Sequence, residues 1–306
     1  MEISNNYEYQ VSRGNELKFG YSEGVFNRRE SKDDQFWITY PRCARPVHDW
    51  RTECVIAAQE IGRVYQGREL FLCLSGGIDS EVMVRSFAAC GIPFRTIITR
   101  YNNDINIQDI AWAVIYCEGN AIPYEFYNLD VVDFWESGEM YVYADVAQCI
   151  SPQMANLLKI MDHIHGRGGV PVVGCGEIMI ACENSTWFVH GSEQYYSLYQ
   201  YLMRRGKPGA PRFFQWNPEI MYSYLISPQL NRFLARPGTG TVNSLALKPH
   251  IYGTYWPLSP RPKYTGYEKI WKLDSKHRAE LMRRNPFSGA VFKTELGEML
   301  DTLRPL

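Results

Sequence analysis

No apolar run in this 306-residue chain approaches 18 residues, so no segment is long enough to cross a bilayer as a helix. No C-x-x-C pair occurs. The eight cysteines lie scattered at positions 43, 54, 73, 90, 117, 149, 175 and 182, which suits buried, reduced thiols and excludes a zinc cluster or disulfide framework of ordinary spacing. H-E-x-x-H and an ordered Ser-His-Asp set are missing too, arguing against metalloprotease and serine hydrolase chemistry. His163 and His165 stand two apart on an expected helix and do not share a face. The net charge of −1 gives no bulk electrostatic argument for nucleic acid or membrane. Internal repeats and low-complexity tracts are absent. The opening Met1-Glu2-Ile3-Ser4-Asn5-Asn6 carries no basic-then-apolar signal, and the expectation is a soluble, cytoplasmic protein.

What is present is ordinary globular material: 45% hydrophobic and 21% charged residues, enough for one elaborated α/β domain or two modest ones. Residues 1–47 read as an extension of short alternating strands (Tyr7–Val11, Glu16–Tyr21, Gln35–Tyr40). Trp50, Cys54, Val55, Ala58, Ile61 and Val64 recur at helical spacing, predicting a helix over 48–65. Residues 48–185 then alternate strands (Phe71–Leu74, Arg95–Thr99, Tyr124–Leu129, Gly169–Gly174) with helices (from Glu81, 107–120, 130–135, and 151–165 capped by Ser151 with Pro152 at its first turn). That rhythm predicts a doubly wound parallel sheet, with ligands at the carboxyl ends of its strands. In 186–306 the rhythm breaks. A hairpin over 187–196, helices over 197–205 and 217–225, loops at 236–241 and 256–262, and a last helix over 267–284 are expected in this irregular, mainly helical acceptor region.

One segment concentrates chemistry. Phe71-Leu72-Cys73-Leu74 runs into Ser75-Gly76-Gly77-Ile78-Asp79-Ser80, a buried strand followed by a turn and a helix start. Successive glycines bring backbone N–H groups against an anion, and the helix dipole adds about half a positive charge there. Ser75 and Ser80 supply hydroxyl donors, while Asp79 makes sense beside phosphate if a divalent cation lies between them. An ordinary capped β-to-α turn is the bland alternative. A Walker loop is excluded, because its spacing and lysine are missing.

Residues Leu72 to Ser80 resemble the PP-loop of the ATP pyrophosphatase (adenine nucleotide alpha hydrolase-like) superfamily. Its members include the synthetase domain of asparagine synthetase, to which the resemblance is nearest, along with NAD synthetase, GMP synthetase and tRNA thiolases. The resemblance implies a HUP-type sheet, ATP and Mg²⁺ as ligands, and cleavage of ATP to AMP and pyrophosphate with adenylation of a carboxylate or carbonyl oxygen. It also implies that backbone at Ile97, Ile98 and Thr99 reads the adenine edge. Gly174-Cys175-Gly176-Glu177 is similar to the second phosphate segment of those enzymes, except that Ile178 stands where an aspartate would fall; Glu177 is the substitute metal ligand beside Asp79, with Glu183 a weaker choice. A late basic residue is implied to absorb charge on the leaving pyrophosphate, and Lys263 in the proline-stiffened Arg261-Pro262-Lys263 is expected there, ahead of Lys248 and Lys272.

Residue 2 is Glu2 and the first cysteine is Cys43, so the family's N-terminal glutaminase is not expected. Ammonia or an amine would arrive from solution, from a separate donor or as a second substrate, and a small-molecule acceptor is the expected partner. Two rivals stay open. One is sulfur transfer through a reactive Cys175, or Cys149, from a sulfur donor. The other is a binding protein that senses an adenine nucleotide without turnover.

Overall fold

The computed structural model describes residues 17–235, 244–262, 264–286 and 289–306, apart from the side chains of 195 and 244–247. The expected strand over 7–11, the loop over 236–241 and Lys263 lie outside the described residues.

The strands expected near the N-terminus form a small antiparallel sheet of their own. It comprises β1 (Lys18–Tyr21), β2 (Gly24–Val25) and β3 (Phe36–Thr39) in the order β2-β1-β3. Helix α1 (Trp50–Val64) starts at Asp49, whose carboxylate accepts from the N–H groups of Arg51 and Thr52. It buries Trp50, Cys54, Ala57, Ala58 and Ile61, the apolar stripe that its spacing predicts.

The central sheet holds β4 (Leu70–Cys73), β5 (Arg95–Tyr101), β6 (Tyr124–Leu129) and β7 (Val170–Val173), all parallel. Between them run α2 (Ile78–Cys90), α3 (Ile107–Gly119), the short α4 (Val131–Glu136), α5 (Glu139–Ala147) and α6 (Pro152–Gly166). Ser151 caps α6 through its hydroxyl to the Met154 N–H, with Pro152 in the first turn. The strand order is β6-β5-β4-β7. The chain thus walks outward from β4 to β6 and returns to lay β7 on the other side of β4. Successive side chains alternate between the two faces. Phe71 and Ile97 pack with Ile160 and Ile164 of α6, while Leu70, Leu72 and Ile98 join the main core that holds Ile61 of α1 and Val82 of α2.

After β7 come a hairpin of β8 (Met179–Glu183) and β9 (Thr186–Ser192), helices α7 (Ser197–Arg205), α8 (Pro218–Leu225), α9 (Pro228–Leu234), α10 (Ser244–Tyr255) and α11 (Trp271–Arg284), strand β10 (Val291–Glu295) and helix α12 (Leu296–Leu303). Strands β10, β9 and β8 form a third, antiparallel sheet. The expected hairpin over 187–196 is corrected here. It turns earlier, at Asn184 and Ser185, whose φ angles of 49° and 66° form the left-handed pair that a two-residue hairpin demands. The region after 186 is accordingly not purely helical. The expected helix over 267–284 opens as a 3-10 turn (Tyr267–Ile270) and is not the last, since α12 follows. One hydrophobic core runs from Leu17 to Leu303. Among the described residues no helix is long and apolar enough to cross a membrane.

Leu72 is fully buried and pairs with Thr96 on one side and Val172 on the other. Leu72→Ala should cost about 2–5 kcal/mol of unfolding free energy, read from the urea midpoint at unchanged slope.

Candidate active site

The return of β7 beside β4 brings the loops 75–80 and 174–177 together at the carboxyl edge of the sheet. Their contact needs bare backbone, for a Cβ at Gly174 would stand 2.7 Å from the Ser80 Cα. Gly76, at φ +93°, lies so close to the first turn of α3 that a Cβ there would meet the Asp109 carbonyl oxygen at 1.9 Å. Gly77 begins α2 with no side chain capping it, which leaves the N-terminal N–H groups and the positive end of the dipole facing the loop. The loop is held from within. Ser75 and Ser80 hydroxyls are 3.1 Å apart, the Ser80 Oγ donates to the Gly77 carbonyl at 2.9 Å, and the Ser75 Oγ accepts from the Gly77 N–H at 3.3 Å. Ser75 itself is exposed.

Gly176 takes φ +98° and packs against Arg212 and Gln215, and the Cys175 carbonyl accepts from the Phe214 N–H at 3.0 Å. This pins the second loop so that Glu177 turns toward Asp79. Helix α10 completes the group. Lys248 Nζ donates to Asp79 Oδ2 at 2.7 Å and to Glu177 Oε1 at 3.2 Å, and the Tyr252 hydroxyl donates to Asp79 Oδ1 at 3.0 Å. Lys248 exposes 3% of its side chain, whereas Asp79 and Glu177 keep 20% and 29% open.

Burial pushes Asp79 up against the pull of Lys248, with Glu177 adding to the rise. At Glu177 burial also pushes up, but the Lys248 ammonium, a backbone N–H and the Arg212 guanidinium together outweigh it and hold the carboxyl below its ordinary value. Burial disfavours the charged form of Lys248, and the two carboxylates more than offset it, so the ammonium is held. Two carboxylates about one ammonium leave a net negative charge at the mouth of the phosphate loop. The wall behind is aromatic: Trp50 lies 4.4 Å from Tyr252 and 5.8 Å from Phe214, centroid to centroid.

The arm that follows α10 lies across α2 and the loop after β5. Arg261 Nη2 reaches Glu81 Oε2, in the first turn of α2, at 2.5 Å, and Arg85 Nη2 donates to the Pro257 carbonyl at 3.1 Å. Farther on, Gly266 at φ +87° rests on the Ile105 carbonyl, Lys269 Nζ donates to the Asp104 carbonyl at 2.8 Å, and the Tyr267 and Tyr101 hydroxyls are 2.5 Å apart.

No family model matches the chain, and no curated protein matches it. Among solved structures, it is similar to an NMN synthetase from Francisella tularensis, at 14% identity and a TM-score of 0.35, covering 75% of this chain and 94% of that one. It is also similar to an NH3-dependent NAD synthetase from Campylobacter jejuni subsp. jejuni NCTC 11168 in complex with the nitrate ion, at 15% identity and a TM-score of 0.36, covering 78% and 96%. Likeness at this level carries no argument about activity.

Of the residues expected from sequence, Ser75, Gly76, Gly77, Asp79, Ser80, Gly174, Gly176 and Glu177 come together. Ile98 has its side chain in the core, and the Thr99 carbonyl accepts from Asn106 Nδ2 at 2.9 Å. Glu183 stands elsewhere, at the end of β8 against Lys293. Among the described residues the lysine that meets the carboxylates is Lys248, expected from sequence only behind Lys263. Tyr252, one turn beyond it, was not expected at all. Burial, with Glu177 next, pushes the Cys175 thiol up to about 12, the opposite of what a nucleophilic cysteine requires. Cys149 is buried.

A methyl group at Gly76 has no room and the wrong backbone geometry. Gly76→Ala should lower stability by about 1–3 kcal/mol, measured by thermal shift.

Proposed function

We propose that the chain is an ATP-dependent synthetase of the PP-loop kind, cleaving ATP to AMP and pyrophosphate and adenylating a small-molecule carboxylate or carbonyl oxygen for attack by an amine or ammonia. The observation that carries this reading is the meeting of an uncapped helix N-terminus and Gly-Gly turn with a carboxylate pair and a lysine at the β4/β7 junction. A phosphate-binding loop without Asp79 and Glu177 would serve any anion. Carboxylates at that spot belong with a nucleotide that arrives with a metal.

The pair fits Mg²⁺. Both carboxylates are already organised about one positive charge, and both retain open surface. Among the described residues no group of three or more His, Cys, Asp and Glu is assembled for a metal. Magnesium commonly takes one or two carboxylates and completes its shell with phosphate oxygens and water, so two suffice. When bound, the ion would neutralise phosphate charge and polarise the α-phosphorus.

The chain's own groups then have distinct tasks. The free N–H groups at the start of α2 and the exposed Ser75 hydroxyl would hold the β and γ phosphates, with Ser80 bracing the loop from within, and Asp79 and Glu177 would hold the cation. Lys248 would absorb charge as pyrophosphate leaves, and the resemblance would put the base by the backbone at 98–99, where the Thr99 carbonyl is already taken by Asn106. Lys263 remains a second source of positive charge. Catalysis of this sort is positioning and charge stabilisation, with no covalent step required of the protein. The region after 186 would supply the acceptor pocket. Sulfur transfer is the weaker reading, because burial and Glu177 hold the Cys175 thiol protonated.

The test is AMP and pyrophosphate formation from α-labelled ATP and Mg²⁺ across a pool of small carboxylates with ammonia or amines. Acceptor-dependent formation of both products is expected, and their persistent absence would reject the enzyme. Asp79→Asn and Lys248→Met should each lower kcat/KM by about 10²–10³-fold, the usual loss for one charge-stabilising group, while Cys175→Ser keeps most of the turnover.

A further inference from the structure

We propose that Lys248 is a built-in competitor for the divalent cation: its ammonium fills the charge position between Asp79 and Glu177 and latches α10 over the phosphate loop, so that cation binding and α10 docking exclude each other. The inference rests on the reading of Asp79 and Glu177 as cation ligands.

Lys248 and Tyr252 are four residues apart and share a face of α10, and both land on one carboxylate. Asp79 accepts the ammonium on Oδ2 and the phenol on Oδ1, while Glu177 gives Oε1 to the same ammonium. A metal that takes either Asp79 oxygen or Glu177 Oε1 would have to displace one of these contacts. A magnesium ion sits roughly 2.0–2.1 Å from its carboxylate oxygens. An ammonium 2.7 Å from the same Asp79 oxygen would be left beside a doubly charged ion in a site where the lysine is 3% exposed. Like charges that close, with little water between them, do not coexist. The ammonium must swing away, and Tyr252 must release Oδ1 if both oxygens are used.

The helix suits that exchange. Pro249 interrupts its hydrogen-bond ladder and Gly253 adds backbone freedom, so α10 depends on docking more than on its own propensity. Among the described side chains of α10, Ile251 and Tyr252 are buried apolar contacts, with Tyr252 against Trp50. A latch closed in the metal-free protein reduces apparent cation affinity by the fraction of molecules that are open. Displacement also frees a lysine beside the loop where leaving-group charge collects, so metal arrival would both organise the phosphates and release the group that meets them.

Mn²⁺ binding, followed by electron paramagnetic resonance in nucleotide-free full-length protein, tests the competition. Lys248→Met should bind Mn²⁺ about tenfold more tightly than wild type, within the usual range for two coupled sites, and Lys248→Arg should stay near wild type. Adding Asp79→Asn to Lys248→Met should abolish the gain. Equal or weaker binding by Lys248→Met, a gain that survives Asp79→Asn, or no Mn²⁺ binding by any variant would overturn the proposal. Should Lys248→Met fail to fold, hydrogen exchange in the wild type decides: saturating Mn²⁺ should speed exchange of the 250–255 amides, and unchanged exchange overturns the latch. Pyrophosphate release in the wild type judges the synthetase reading separately. Turnover without the Mn²⁺ gain sinks only the latch, and the gain without turnover sinks only the synthetase.

Discussion

The pairing of β7 against β4, on the side away from β5, is the constraint on which the rest depends. Three of the four β4 residues are buried, and the strand is hydrogen-bonded on both sides. Had β7 continued outward past β6, two strands would separate the 174–177 loop from the Gly-Gly turn. Beside β4 it lies in contact with it, with Gly174 bare against Ser80. The far side of β7 is in turn secured by the stretch around Ala210, whose N–H donates to the Pro171 carbonyl and whose carbonyl accepts from the Val173 N–H, each at 2.9 Å. The loop that presents Glu177 is thus fixed from both directions.

On that platform the C-terminal part acts as a cover. Helix α10 brings one buried cation to two carboxylates from separate loops, and the arm after it is tied to α2 through Arg261 and to the loop after β5 through Gly266, Tyr267 and Lys269. A lysine this buried is sustained by its partners: removing them would leave an ammonium without solvation, and removing it would leave two carboxylates facing each other. The site is therefore electrostatically coupled to the position of a helix.

Much of the platform was legible in the sequence because its signals are local. Ser151 announces a helix start, the apolar run Phe71–Leu74 followed by Gly76-Gly77 marks the strand and its turn, and Val170–Val173 is apolar throughout. Asp79 and Glu177, which lie together on Lys248, were both named in the sequence, Asp79 from its place in the Gly-Gly turn and Glu177 from the resemblance of 174–177 to a second phosphate segment. What escaped was non-local. Lys248 lies 169 residues from Asp79 in sequence, and nothing in the spacing of α10 points to an ion pair across that distance. The proline-stiffened stretch at 257–262 drew attention to Lys263, while Arg261 in the same stretch makes the observed contact, behind the loop on Glu81. Strand β10 hid because its alternation is exposed and half-exposed, without a buried face to read, and β8 because its turn uses Asn184-Ser185 rather than a glycine.

The account stands on one claim, that the β4/β7 junction holds a nucleotide by its phosphates with a cation between Asp79 and Glu177. A crystal structure with Mg²⁺ and α,β-methylene-ATP tests it most directly. The account predicts phosphate oxygens on the backbone amides of 76–80, the ion touching both carboxylates, and Lys248 withdrawn from them. Nucleotide bound elsewhere, or phosphates at the loop with Lys248 still bridging Asp79 and Glu177 and no ion there, would contradict it.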